Sequence, residues 1–470
     1  MRRANSLDAL RGLAIILMVL SSMEAFCILP PWMYHAQVPP PDHVFNPDLP
    51  GISWVDLVFP FFIFAMGAAF PFAIGRRMES GQGKGRLALG ALLRYIRLTV
   101  FAIFIQHFYP SVLGGPDRWL LALAAWGVMF LMFMRLPSAV PKWIGYVLKA
   151  LGYALAILMS CTVHFASQPN LLESPMEFLS FSNIIILVLA NMAFFGELLY
   201  IFTKDKAYIR LIVLAALTVL AVLGMVFDES WLRSALDWSP APWLYNFMFL
   251  KYLYIIVPGT IAGDCLKLCT DDNVVLTPAK RWRAVLMVAI PVALIVVNVV
   301  CLFGRYLILG AVASFLLCLA GIMAVHRGTS NEELLWRRLF ILGSILLALG
   351  LALEPLQGGI KKDPSTFSYF FVTGGLASFA LIAFHVICDH YKCLRSTAFL
   401  RLSGQNPMIA YSSGQLFVLP ILALVGLRDP FLSFCSTSPW LGFFLQGLGL
   451  TSLVVLVTIF FSKVRLYWRT

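Results

Sequence analysis

The sequence predicts an all-α fold, a polytopic transmembrane helical bundle of about 12–14 spans with both termini in the cytoplasm. Three observations predict it. Hydrophobic residues make up 60% of the chain and charged residues 12%, with a mean hydropathy of +0.85; a soluble domain carries roughly 25% charged residues. Apolar stretches long enough to cross ~30 Å of hydrocarbon recur with short connections between them. Basic residues cluster on every second connection, the positive-inside pattern. Residues 1–470 therefore read as one integral-membrane bundle rather than a string of soluble domains. No internal repeat of the transporter kind stands out.

The expected spans, in order, are about 7–29, 54–74, 88–107, 119–136, 144–165, 180–202, 208–227, 247–266, 284–303, 307–325, 338–356, 370–389, 409–427 and 440–462. Phe303-Gly304-Arg305 is a connection so short that a re-entrant pair is an alternative there. Arg2, Arg3 and Arg11 precede the first span, and Arg76, Arg77, Lys84 and Arg86 follow the second. Lys204, Lys206 and Arg210, then Lys280, Arg281 and Arg283, then Arg337 and Arg338, then Lys392, Arg395 and Arg401, then Lys463, Arg465 and Arg469 continue the alternation. This distribution assigns the net charge of +12 to a lipid bilayer partner and excludes nucleic acid. The basic start followed by an apolar run is also the pattern of a signal peptide, but no small-residue cleavage site follows, so an uncleaved first helix is expected. The nine cysteines show no CxxC spacing, and neither a metal site nor a disulfide framework is expected.

Between the first two spans lies a polar loop placed on the outer face. It holds His35, and Pro30, Pro31, Pro39, Pro40 and Pro41 keep it from being helical. Asp56 begins the second span at the same end. A carboxylate beside an imidazole at a membrane boundary is an acid/base couple, because it fixes the tautomer and stabilises the imidazolium. Asp42 and Asp48 of the same loop are alternatives for that role. Trp32, Tyr34, Gln37 and His43 suit a sugar, whose apolar faces stack on rings, and equally suit a membrane interface.

The order SLDALRGLAIILMV, then Tyr34-His35-Ala36, then WVDLVFPFFIFAMG resembles the heparan-α-glucosaminide N-acetyltransferase family of membrane acyltransferases. The matching residues are Asp8, Arg11, Gly12, His35, Asp56 and Phe59-Pro60, with Asp8 and Arg11 as the pair that starts the first helix. The resemblance continues in Gly358–Phe379, through Lys361 or Lys362, Ser365, Ser368 and Tyr369, and in Leu402–Phe417, through Gly404, Asn406 and Tyr411. It covers about residues 5–110 and 355–417. The sequence departs from the family at Ser21-Ser22, where an Asn is expected, at Gly414-Gln415, where His-Glu is expected, and after the third span, where FYPSVLGGPDRW stands. The resemblance implies that His35 carries the acetyl transfer, that Ser22, Lys361, Lys362, Ser368 and Asn406 join the loop residues Trp32 and Tyr34 in the substrate site, and that the protein forms a homodimer.

Ionisable residues in the spans complete the candidates, since each is costly in lipid and so faces the bundle interior. Arg94 and Arg97 match basic residues of the family at the start of the third span and suit the phosphates of coenzyme A; snorkelling to the interface is the alternative. Asp264 follows Pro258, Gly259 and Gly263, a set that marks either a local break opening a cofactor crevice or close helix packing. His107 ends the third span on the His35 side, where it is a further candidate for holding a sugar.

The function expected from these residues is a membrane acyltransferase in the bacterial inner membrane. It moves an acetyl group from cytoplasmic acetyl-CoA, a co-substrate, to an amino sugar or related glycan on the outer, periplasmic face, with no metal. His35 acts either as general base or as acetyl carrier. The rival expectation is a multi-pass transporter or flippase for a sugar or lipid-linked glycan, and a third is a scaffold or sensor that has kept the fold without catalysis.

Overall fold

The protein is described by a computed structural model that covers residues 4–25, 28–136, 140–226, 231–270 and 279–469; Arg2, Arg3 and Cys27 lie outside the described residues. Each expected span coincides with a helix. The helices are α1 Asn5–Met23, α2 Trp54–Glu79, α3 Lys84–His107, α4 Arg118–Phe133, α5 Lys142–Thr162, α6 Ile184–Thr203 and α7 Ala207–Gly224. They continue with α8 Phe247–Cys269, α9 Arg281–Phe303, α10 Leu307–His326, α11 Asn331–Leu353, α12 Phe367–His390, α13 Pro407–Leu424 and α14 Pro439–Lys463. Thirteen are long and apolar enough to cross a membrane, and α4, at 16 residues, is the shorter exception. The protein is an all-α, multi-pass membrane protein. Both members of the α9–α10 pair are full-length helices joined through Gly304-Arg305, so this connection is a tight hairpin and not a re-entrant segment.

The helices begin where the sequence supplies caps. Ser53 and Asp56 form a reciprocal capping box at the start of α2, as Ser330 and Glu333 do at the start of α11. Asn183 and Thr366 accept backbone N–H groups at the starts of α6 and α12. The helices α2 and α12 are central, with 78% and 83% of their apolar windows buried, whereas α5 and α7, at 17% each, lie on the periphery. Outward-facing residues such as Val296, Ile308, Phe315 and Phe460 are exposed apolar side chains, as a lipid-facing surface requires.

Close helix approach depends on glycines at two contacts. The Pro258–Gly263 region does not break: α8 runs through it, and a Cβ on Gly259 or Gly263 would fall 2.5 Å from the Phe64 carbonyl oxygen or 2.3 Å from that of Ala68 on α2. Of the two readings of this segment, close packing is the one realised. The short helix Ala398–Gln405 likewise packs on α1, where a Cβ on Gly12 would lie 1.8 Å from the Leu400 oxygen and one on Gly404 2.0 Å from the Asp8 oxygen.

Two ends of the bundle are thereby defined. At one end the Asp389 carboxylate, at the end of α12, accepts the Asn5 and Ser6 N–H groups that start α1, each at 3.1 Å. At the other, the loop carrying His35 meets the loop between α11 and α12. At the first end Met134-Arg135 pairs antiparallel with Tyr467-Trp468, laying the tail against α4.

Gly404→Ala is expected to cost about 1–3 kcal/mol, the usual range for overpacking, because the atoms it meets are backbone. Gly127→Ala, in α4 with open space around it, is expected to be neutral or to raise stability by up to about 1 kcal/mol through helix propensity. Thermal unfolding of both variants in detergent checks the pair.

Candidate active site

The loop before α2 has one short 3-10 turn, Pro31–Met33, and is otherwise irregular, as its prolines require. Irregular backbone next to a membrane must have its polar groups satisfied within the protein. Tyr34 does part of this: it is buried, its hydroxyl donates to the Ala25 carbonyl (2.6 Å) and accepts the Leu29 N–H (3.1 Å), and its ring meets His43 edge-on. That hydroxyl is thus spent on holding the loop to the end of α1. Trp32, by contrast, is about half exposed.

Asp56 is the buried anchor of the loop. Its Oδ2 accepts from the Ser53 N–H (2.9 Å), the Ser53 hydroxyl (3.3 Å) and the Ala36 N–H (3.3 Å). Its Oδ1 lies 3.4 Å from His35 Nδ1 and 3.8 Å from Lys362 Nζ. The Tyr369 hydroxyl donates to the Asp56 carbonyl at 2.9 Å. The expected His35–Asp56 neighbourhood and the expected lysine from the late loop therefore occur together. Asp42 and Asp48 do not join them, and Asp48 is the 3.9 Å ion-pair partner of Lys361 instead.

A second carboxylate completes the cluster. Asp363 Oδ2 lies 3.8 Å from His35 Nε2. The imidazole holds the Asp363 carboxyl below the ordinary carboxylate range; burial works the other way, and Lys362 adds to the lowering. Gln37, fully buried, joins the two loops: its Oε1 accepts the Asp363 N–H (2.9 Å), and its Nε2 donates to the carbonyls of Asp363 (2.6 Å) and Pro47 (3.3 Å). Sequence reading left Gln37 between a sugar site and the membrane interface and did not find Asp363. The available signal was the charge of Lys361-Lys362-Asp363 just before a helix start, and nothing local ties that charge to a histidine 328 residues earlier.

A cavity of about 700 Å³ occupies the bundle between α1, α2, α3, α6 and α13. Asp8, Arg11, Arg76, Arg94 and Arg469 line one part of it, and Phe59, Phe62, Met18 and Ile186 another. Along α2 its lining runs from Arg76 to Phe59, a rise of roughly 25 Å, and Phe59 is one helical turn, about 4.5 Å of rise, from Asp56. Arg94 is in the cavity wall, ion-paired to Glu197, while the Arg76 guanidinium has no hydrogen-bond or ion-pair partner among the described residues. Asp8 and Arg11, expected only to start the first helix, also line the cavity, 3.5 Å apart.

Other expected site residues are placed elsewhere. Arg97 is not in the cavity wall and neighbours Lys149 and Tyr153 of α5. Asp264 is 2.8 Å from the fully buried Arg210, and its other oxygen accepts the Tyr200 hydroxyl at 3.1 Å, a tie between α6, α7 and α8 rather than a crevice. The Ser368 hydroxyl donates to the Gly350 carbonyl (2.8 Å), tying α12 to α11. Asn406 is buried and holds the tail, donating to the Leu466 carbonyl (2.9 Å) and accepting the Trp468 N–H (3.2 Å). Ser22 is exposed and donates to Val19 within its own helix. His107 is fully buried, bonded to the Ile103 carbonyl and stacked 3.8 Å from Phe178, so it is a packing element.

Fold and site together define a multi-pass helical membrane protein with a charged cluster at one end and a basic, partly apolar cavity that approaches it from the other. Residues 3–266 match the family described as a domain of unknown function, DUF5009, and the chain belongs to it. The matched region includes His35, Asp56 and most of the cavity wall but not Asp363. No curated protein matches the chain.

Asp264→Asn leaves Arg210 buried without its counter-charge. It is expected to cost about 3 kcal/mol, the low end for breaking a buried pair because Asp264 is partly exposed. Thermal unfolding in detergent checks this.

Proposed function

We propose that the protein is an acyltransferase of the bacterial inner membrane that passes an acetyl group from cytoplasmic acetyl-CoA to an amino sugar or related glycan on the outer face. The observation that carries this reading is the continuity along α2: the cavity lining ends at Phe59, one turn from Asp56, and Asp56 neighbours His35. A charged thioester made on one side can meet an acceptor from the other only by a protein-lined path. Arg11, Arg76, Arg94 and Arg469 suit phosphates at one end of such a path, and the phenylalanines suit an uncharged arm farther in.

Acetyl-CoA supplies the activated acyl carbon. His35 takes the proton of the attacking acceptor N–H or O–H as its lone pair bonds to that carbon, and returns the proton to the sulfur as the C–S bond breaks. A carrier route, in which His35 itself is acylated before the acceptor is, uses the same placement. Lys362 and Asp56 offset the charge changes of the ring.

Purified protein incubated with labelled acetyl-CoA and glucosamine is expected to form labelled product, with His35→Ala lowering the rate by about 10²–10⁴-fold, the range for a positioned acid/base group. Labelled acetyl-CoA without acceptor separates the two routes, since only the carrier route leaves label on the His35 peptide. A protein that neither binds nor hydrolyses acetyl-CoA would overturn the proposal and turn attention to transport of the glycan. Arg76→Gln is expected to raise the KM for acetyl-CoA about tenfold with little change in kcat, as loss of one charge-assisted phosphate contact would.

A further inference from the structure

We infer that Asp363 is the carboxylate that positions His35, and that Gln37 delivers it by clamping one loop to the other. This rests on the catalytic reading of His35 given above and adds a residue to it. The Gln37 backbone N–H donates to His35 Nδ1 at 3.1 Å. A backbone amide is always a donor, so Nδ1 keeps its lone pair in the neutral ring and the ring proton sits on Nε2. Asp56 Oδ1, at 3.4 Å from Nδ1, thus faces a lone pair and has no proton to accept there, while Asp56 Oδ2 already has three donors. Asp56 builds the loop. The proton-bearing nitrogen faces Asp363 Oδ2 instead, at 3.8 Å.

The clamp makes that placement specific. Gln37 is two residues from His35, fully buried, and holds both the N–H and the carbonyl of Asp363. The Asp363 backbone cannot leave the loop of His35 without two partly buried hydrogen bonds breaking, each of which is expensive to leave unmade, so the carboxylate stays within reach of the ring. A proton taken up at Nδ1 displaces the Gln37 N–H from that lone pair and gives an imidazolium flanked by Asp56 on one nitrogen and Asp363 on the other, with Lys362 as the further cation. Two positive and two negative charges then balance. Tyr369 bonds the Asp56 carbonyl from α12, and His43 packs on Tyr34.

The test reads the His35 ring directly. Full-length protein in detergent is treated with diethylpyrocarbonate, which acylates only neutral imidazole, across about pH 5 to pH 9, and the His35 peptide is followed by mass spectrometry. Loss of a charge 3.8 Å away at a half-exposed site is expected to move the reactivity midpoint of Asp363→Asn down by roughly half to one pH unit. Asp363→Glu is expected to restore it, and Asp48→Asn, which removes a charge from the same loop away from the ring, to leave it unchanged. An Asp363→Asn midpoint equal to the parent's, or an equal fall in Asp48→Asn, would overturn the assignment. In acetyl transfer the acid limb of kcat/KM in Asp363→Asn should move the same way. If the parent transfers no acetyl group the acyltransferase reading falls, and the midpoint still decides the role of Asp363.

Discussion

The hydrogen bonds of Gln37 span 326 residues of sequence and hold together the two loops from which the site is built. Irregular backbone at the edge of a membrane has few sources of hydrogen bonds, because neither helix nor lipid supplies them. The loop before α2 meets this constraint with side chains: Gln37 for the Asp363 and Pro47 backbone, Asp56 for Ser53 and Ala36, Tyr34 for Ala25 and Leu29. Within the loop so held, the Gln37 backbone N–H bonds His35 Nδ1 and fixes where the ring points. Structural economy and site geometry are one arrangement here.

Charge follows the same logic through the bundle. Arg94 with Glu197, Arg210 with Asp264 and Arg283 with Glu333 each join two helices, and Arg305 with Glu354 joins the α9–α10 connection to the end of α11, by pairs that are at least partly buried. Pairing of this kind is what a low-dielectric interior demands, since an isolated charge there costs several kcal/mol. Against this background the departures stand out. Glu24, buried at the end of α1, has a carboxylate oxygen without a hydrogen bond among the described residues. Arg76, exposed at the cavity wall, has no carboxylate beside it among the described residues, and the cluster around His35 brings two carboxylates to one ring.

The positions of the fourteen helices were legible because an apolar run of sufficient length has few alternatives in a bilayer, and because caps such as Ser53 and Ser330 are local signals. The His35–Asp56 pair was legible for a related reason. The two residues are 21 apart, and the capping role of Asp56 pins the helix start close to the loop. Asn406, Ser368 and Asp264 were not legible in this way: each is a polar residue in an apolar setting, which signals a bonded group without saying to what. Their partners, the Leu466 carbonyl, the Gly350 carbonyl and Arg210, come from other helices.

The sequence by itself determined that this is an all-α membrane bundle and where its helices lie, and it placed a histidine and candidate carboxylates at one boundary. Periodicity, composition and capping act over a few residues, and these features need no more. Only the tertiary structure decided which nitrogen of His35 bears the proton, that Asp363 faces it, and that a cavity lined by Arg76, Arg94 and Phe59 approaches Asp56 along α2. The physical reason is that hydrogen-bond direction, close helix approach at Gly12 and Gly404, and the space between five helices are properties of packed neighbours. No stretch of chain carries them alone.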